Sequence, residues 1–596
     1  MKSTLRWLRP SFLLTLALTM PFAAAAAAVP AVVTDTGTFI GVPSPSAAGV
    51  DVFFGIRYAA APVGALRWTP PQPPAAPVGS VVAAVPGPAC PQPASTAPLP
   101  QSEDCLFLNV YVPTNEGTHS KRPVFVWIHG GALVTGTGAI YDPAAMVADN
   151  DIVVVTINYR LGALGWLVEP GLIAAASSFF QNAGDAGNYG LMDQQFALQW
   201  VQRNIAAFGG DPANVTVGGE SAGGLSVTSN LTSTTTAKGL FHGAIIESGA
   251  YMLHDLPSQA VYGQLFGAGF DAALGCNPPA DAVCLRAAPL ASVLAAQTEV
   301  FGSNGISPDF GTRVLPRALR DALPQGEFIR VPVLQGTNAN EGRLFEPGEI
   351  PFASTLPNIQ AAGGPANFDL TNANTFCATP QGTGAPVVCS YPQEVGLYLG
   401  ALSVGLGFPT ADVSPGFVAK ILEEYPLAGF PDPFLPHNAP SADEALSQIF
   451  TDAVFACNGA DSNRDLARFV PVFGYEFNDP DAPPLGSVPV KPPNDVFGFP
   501  TASEHSAELQ FLFNFGAPLS ADEQDLAGQM QTYWGNFVST LDPNGPRHVA
   551  VWLPYNFSEV LQDLVPGPHR PHPFSTFRQE HFCRTWQPIV AAEAGL

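Results

Sequence analysis

Apolar positions in this chain alternate between two rhythms. Short β-branched or aromatic runs, at residues 123–128 (PVFVWI), 215–218 (VTVG) and 331–334 (VPVL), stop at glycine-rich or polar turns and read as buried strands. Residues 191–208 instead place Phe196, Leu198, Trp200, Val201 and Ile205 at helical spacing. A helix there feeds the strand at 215–218 through the turn Gly209-Gly210-Asp211-Pro212. Near the N-terminus, Lys2, Arg6 and Arg9 precede an apolar stretch at 12–22 and an alanine run to Ala28. That pattern predicts a signal peptide over 1–28, cleaved around residues 26–28 and too short to be an anchor. No other segment is apolar for long enough to span a bilayer, so no stable membrane anchor is expected. No internal repeat is visible.

The strand at 215–218 leads into Gly219-Glu220-Ser221-Ala222-Gly223, a G-x-S-x-G pattern followed by a further glycine. A serine on a strand-to-helix turn is held in a tight bend with its hydroxyl above the sheet, and side chains beside it would collide with neighbouring elements. Alone the pattern is weak in a chain of 58 glycines, where a turn serine is the plainer reading. Serine is also a poor nucleophile until a base and an acid are supplied. The surroundings decide the matter. Residues 187–224 (GNYGLMDQQFALQWVQRNIAAFGGDPANVTVGGESAGG), 102–110 (SEDCLFLNV), 158–162 (NYRLG) and 241–249 (FHGAIIESG) together resemble the type-B carboxylesterase/lipase family, which includes the cholinesterases. Matches extend from about Gly55 to Cys583.

The resemblance implies an α/β-hydrolase fold, with a central mostly parallel β-sheet flanked by helices and inserted helical or loop regions forming the pocket wall. One domain over 29–596 is expected, with the Pro- and Gly-rich stretch at about 345–441 as the insertion. It also implies a serine carboxylesterase acting through an acyl-enzyme on Ser221. This fold orders its triad Ser, acid, His. The strand at 331–334 is followed by Gly336-Thr337-Asn338-Ala339-Asn340-Glu341-Gly342, which matches the family's G-x-N-x-x-E-G and makes Glu341 the acid. A carboxylate beyond a strand's C-terminal end shares the rim with the nucleophile. Of 10 histidines, His505 in residues 505–513 (HSAELQFLF) resembles the family's catalytic segment, on a loop entering an apolar helix. His548, His569, His572 and His581 crowd the C-terminal region without such a context. His129 precedes the segment Gly130-Gly131-Ala132, which resembles the family's oxyanion turn. By that resemblance the backbone N–H groups of Gly131, Ala132 and Ala222 face the developing oxyanion. Ala132 stands where a third glycine is usual, and a negative φ is expected there, because alanine is strained otherwise. No metal or organic cofactor is required.

Eight cysteines in a signal-bearing chain suggest disulfides, and C-x-x-C zinc pairs are absent. The family pattern implies Cys90–Cys105, Cys276–Cys284 and Cys457–Cys583. Cys377 and Cys389 remain for a local fourth bridge. The family also implies an ion pair between Arg67 and Glu103. Asn214, Asn230 and Asn556 begin N-x-S/T sequons, but the alanine-rich leader has a bacterial look and argues against glycosylation. The protein is expected to be secreted or periplasmic. Its net charge of −25 falls to −28 once Lys2, Arg6 and Arg9 leave with the leader, which disfavours nucleic acid and anionic membranes. The expected partner is a small-molecule ester.

The Cys90–Cys105 loop holds fourteen residues and no tryptophan. In cholinesterases the longer equivalent supplies an aromatic face for quaternary ammonium, and in several family lipases it forms a lid. Its brevity leaves no cation–π seat from that loop for a choline ester, and it favours a carboxylesterase for soluble or moderately apolar esters over a true lipase. A lipase, an aromatic or polyester-type ester hydrolase on the same triad, and a catalytically inactive binding protein of the same fold are the alternatives.

Overall fold

The computed structural model describes residues 31–586, apart from 76, 78, 94–99, 115–120, 180–185, 254–255, 278–280, 302–305, 346–394, 396–397, 400–414, 431–441, 485–501 and 568–569. The leader at 1–28, Cys377, Cys389, His569 and most of the expected insertion at 345–441 lie outside the described residues.

The strands are β1 (Ala31–Thr34), β2 (Gly37–Ile40), β3 (Val42–Pro43), β4 (Val50–Arg57), β5 (Ser80–Val82), β6 (Phe107–Pro113) and β7 (Arg122–Ile128). They continue with β8 (Val153–Ile157), β9 (Gly210–Glu220), β10 (Gly243–Glu247), β11 (Val333–Asn338), β12 (Val472–Phe477), β13 (Val560–Leu564) and β14 (Arg570–Pro573). β1, β2 and β5 make a small sheet; the other eleven form one large sheet in the order β14-β13-β12-β11-β10-β9-β7-β8-β6-β4-β3. From β8 to β13 every pairing is parallel, and antiparallel strands close both ends.

Alternation along the central strands explains why their sequences read as unbroken apolar runs. In β7, Val124, Val126 and Ile128 join one core while Phe125 and Trp127 join the other. A parallel sheet covered on both faces needs apolar residues at every position. Helices Tyr189–Asn204 and Ala222–Thr232 pack on the first face through Leu198, Val201, Leu225 and Leu231. The helix Ala521–Thr540 covers the second with Met530, Trp534 and Phe537, and it begins at a Ser520–Glu523 capping box.

Two boundaries differ from the sequence reading. β9 starts at Gly210, in the expected turn, because Gly210 pairs with Arg122 of β7. β11 runs on through Asn338, because β10 and β12 hold it from either side. The C-terminal ends of β9, β10 and β11 are aligned, with Glu220 opposite Glu247 and Glu247 opposite Gly336. The segments leaving these three strands therefore meet on one rim. Three of the expected disulfides are formed: Cys90–Cys105, Cys276–Cys284 and Cys457–Cys583.

Candidate active site

Ser221 follows β9 with φ 55° and ψ −123°, a conformation strained for a residue with a Cβ. Close packing imposes it. The Ser221 N–H donates to Glu247 O at 2.8 Å. A Cβ on Gly223 would stand 2.0 Å from Ile128 O, so only glycine lets the helix come this near β7.

Past β11, the chain turns so that Glu341 is fully buried. One carboxylate oxygen, Oε1, accepts from Ser248 Oγ at 2.5 Å and from the Asn338 N–H at 2.7 Å. The other, Oε2, lies 2.6 Å from His505 Nδ1, and His505 Nε2 lies 2.8 Å from Ser221 Oγ. With the proton on Nδ1 donated to Glu341, Nε2 presents its lone pair to the serine hydroxyl. The histidine segment is tied to the acid loop from below: Asn338 Nδ2 donates to Glu504 O at 2.7 Å and to Glu508 Oε2 at 2.5 Å. The three expected triad residues are thus brought together. His129 is not among them. It is buried, stacked on Tyr159, and pushed down to about 4 by burial against a smaller opposing effect of Gly130 O.

More carboxylates gather here than the sequence reading recognised. Glu220 Oε1 accepts from Ser506 Oγ at 2.6 Å and lies 3.2 Å from His505 Nε2. Burial disfavours the charged form of His505, but the Glu220 and Glu341 carboxylates outweigh it and raise the pKa above 6.5. Glu247, which accepts from Trp534 Nε1 at 2.8 Å, is pushed up to about 8 by burial. Burial, then Glu220, Glu247 and Glu341, hold Glu508 well above the usual range. Glu220 is the variable position of G-x-S-x-G, and Ser248 lies in the ESG of residues 241–249. A charged residue among small ones at a strand end was the available signal.

The oxyanion segment corrects one expectation. Ala132 has φ 53°, not a negative value, and Leu133 follows at 61°. Gly131 O accepts the Val134 N–H at 2.9 Å, so residues 131–134 form a tight turn of the type that requires two positive φ values. Leu133 is held there because its side chain is buried and its carbonyl accepts the Gly162 N–H at 2.7 Å. Successive left-handed residues gather their N–H groups on one concave side, which suits an anion. Among the described residues, the N–H groups of Gly131, Ala132 and Ala222 have no acceptor. The turn abuts the elbow: a Cβ on Gly130 would lie 3.1 Å from Ser221 Cβ.

Aromatic rings wall the histidine side. Phe345 and Phe455 lie 5.1 and 4.8 Å from the His505 ring, and Tyr251 adjoins Phe455 at 5.4 Å. On the other side, Gln92 of the Cys90–Cys105 loop exchanges two 3.0 Å bonds with the backbone of Gly136. Asn158, from the NYRLG segment, bonds Cys105 O and the Gly138 N–H, fastening that loop to the oxyanion segment. Arg67 and Glu103 form the expected bidentate pair at 2.7 and 2.5 Å. Of the sequon asparagines, Asn230 is fully buried and its amide donates to Gln194 and Ser226.

A histidine between a buried carboxylate and a serine on a strained elbow is the arrangement of a serine hydrolase. The chain belongs to the carboxylesterase family, whose match covers residues 28–565, and it is a carboxylic ester hydrolase with the α/β-hydrolase fold. It is similar to mouse (Mus musculus) acylcarnitine hydrolase, 31% identical over 522 residues, with 83% of this chain and 80% of that protein covered. Human (Homo sapiens) cocaine esterase is also 31% identical, over 84% of this chain and 80% of its own. Among solved structures, the Aspergillus niger esterase EstA matches with a TM-score of 0.71 at 27% identity, over 95% of this chain and 99% of that one.

Proposed function

We propose that Ser221 is the nucleophile, His505 the general base and acid, and Glu341 the orienting carboxylate of a carboxylesterase for small, moderately apolar esters. The observation that carries this reading is the unbroken relay from Glu341 Oε2 through His505 to Ser221 Oγ, at 2.6 and 2.8 Å. Ser221 Oγ attacks the ester carbonyl carbon as its proton passes to His505 Nε2. The oxyanion is received by the N–H groups of Gly131, Ala132 and Ala222. Glu341 stabilises the imidazolium, which then protonates the departing alcohol. Water, deprotonated by His505, cleaves the acyl-enzyme and restores the serine.

The aromatic wall of Tyr251, Phe345 and Phe455 suits an apolar acyl or alcohol group, and the names of the mouse and human relatives point to esters with sizeable groups. The shortness of the Cys90–Cys105 loop, whose described ends are bonded through Gln92 and Cys105, supports an esterase over a lipase. Three disulfides suit an oxidising compartment, consistent with export by the leader at 1–28 of a single domain over 29–596 carrying an insertion at about 345–441. Among the described residues no helix is long and apolar enough to cross a membrane.

An organophosphonate should label the wild-type protein once and the Ser221→Ala protein not at all. A chain-length series of p-nitrophenyl esters should favour short chains, with no jump in rate when the substrate passes its solubility limit. Labelling elsewhere sinks the assignment of Ser221. Strong activation at an emulsion interface makes the protein a lipase.

A further inference from the structure

The Glu341 loop is caught by a helix that its own strand holds. After β11 the chain turns through Glu341–Leu344 and lies against the helix Ala442–Phe450. That helix continues through a wide turn of the π type, Thr451–Ala456, into the helix Cys457–Ala467. Gln335 of β11 keys this last helix to the sheet. Its amide donates to Gly459 O and Asn463 Oδ1 and accepts from Ser462 Oγ, each at 3.1 Å. Farther on, Gly342 presses so close to the first helix that a Cβ there would stand 2.0 Å from Ser447 O. Thr451, fully buried, fills the join. Its hydroxyl donates to Ser447 O at 3.0 Å, the backward bond that threonine makes in a helix. A lone pair on the same oxygen is left over, and the buried Gly342 N–H donates to it at 2.9 Å.

We propose that Thr451 is a positioning residue for catalysis: its hydroxyl fixes the peptide unit joining Glu341 to Gly342, and so the direction from which the Glu341 carboxylate reaches His505. The inference rests on the triad reading. The Gly342 N–H belongs to a rigid plane that begins at the Glu341 Cα. At the far end of the side chain, Oε2 must meet His505 Nδ1 at 2.6 Å while Ser248 and the Asn338 N–H hold Oε1. Those contacts fix where the carboxylate ends, and Thr451 fixes where its backbone starts. The π turn that Thr451 opens also carries Phe455, whose ring lies 4.8 Å from the His505 ring. One segment thus braces the acid and the base together. A misplacement of about 1 Å between catalytic groups costs up to about a hundredfold in rate.

Thr451→Val keeps the shape of the side chain and removes its oxygen; Thr451→Ser keeps the oxygen and removes a methyl group. Both are measured with a soluble ester in the full chain, with rates counted per site labelled by an organophosphonate. The valine protein should lose at least roughly tenfold in kcat, with KM within about twofold of the parent. Its acid limb of kcat/KM should move to lower pH, because a displaced Glu341 carboxylate holds the His505 charge less firmly. The serine protein should retain most of kcat and the parental limb, whereas a purely packing role for Thr451 predicts the opposite order. If the valine protein does not fold, judged by its near-ultraviolet circular dichroism, Thr451→Ala takes its place with the same directions expected. The proposal is overturned if a folded variant without the hydroxyl keeps the parent's kcat and acid limb. It is equally overturned if Thr451→Ser falls as far as Thr451→Val. Labelling of the wild-type protein away from Ser221 would instead remove the triad itself.

Discussion

Two buried relays of the same chemical kind lie in this molecule, and they do different things. At the rim, Glu341 grips His505 at 2.6 Å; farther along the sheet, Asp452 grips His581 at the same distance. The difference lies at the second ring nitrogen. His505 Nε2 meets a half-buried serine hydroxyl, whereas His581 Nε2 meets the Glu476 carboxylate at 2.7 Å. Burial alone would lower the pKa of His581, but Asp452 and Glu476 carry it to about 10, so this ring stays cationic and cannot serve as a base. A carboxylate–histidine pair is therefore no signature of catalysis. What matters is whether the far nitrogen is left for a nucleophile.

The sharpest way to break this comparison is to cut each relay in turn. Ser221→Ala and His505→Ala should each lower kcat/KM by roughly 10³–10⁶-fold, because triad members act as a unit; Glu341→Gln should retain more. Steady-state rates with a soluble ester check this, and near-normal turnover by His505→Ala would send the search for the base to another histidine.

His581→Ala should do the reverse. Among the described residues it leaves buried Asp452 with only the neutral donors Tyr425 and Gln448, and Glu476 with His572 alone, so unfolding stability should drop by about 3 kcal/mol. The rate per folded molecule should remain near that of the parent. Denaturant unfolding alongside active-site titration separates the two effects.

A pH profile sharpens the rim relay further. His505 must be neutral to accept the serine proton, and its neighbours raise its pKa, so the acid limb of kcat/KM should have its midpoint above pH 6.5. Glu220→Gln removes one of the charges responsible and should move that midpoint down. An unmoved limb would mean that Glu220 does not act on the histidine charge.

The smallest expected effect is at Ala132. Its φ of 53° costs an alanine about 1–2 kcal/mol that glycine does not incur. Ala132→Gly should leave the rate within a few-fold and change stability by about 1 kcal/mol or less, since glycine also gains freedom in the unfolded chain. Thermal melts measure it, and a large loss of activity would show that the methyl group itself positions the turn.

How much of this could be read from the chain depends on what fixes each residue. Ser221, Glu341 and His505 were legible because each lies in a local motif, and a parallel sheet brings the ends of its strands to one edge. The contact of Glu220 with His505 was not, since Glu220 sits in the motif's free position and nothing local says which way it points. The sign of φ at Ala132 was misjudged because Leu133, anchored by burial and by Gly162, dictates the turn from outside it. The second relay was illegible throughout: Glu476 lies on β12 and His572 on β14, Asp452 lies in the helical turn Thr451–Ala456 and His581 follows the helix Phe574–Glu580, and they share no motif.

The order of the rim residues along the chain also sets a timetable for the protein's manufacture. Domains tend to form in the order of synthesis. The elbow bearing Ser221 can pack against β7 while Glu341 and His505 are still unmade, and His505 arrives 284 residues later. Cys583, which ties the last described helix back to Cys457, comes later still. A chain interrupted anywhere before residue 505 carries Ser221 without the ring that lies against its hydroxyl. On the proposed triad, hydrolytic power is acquired only near the end of assembly.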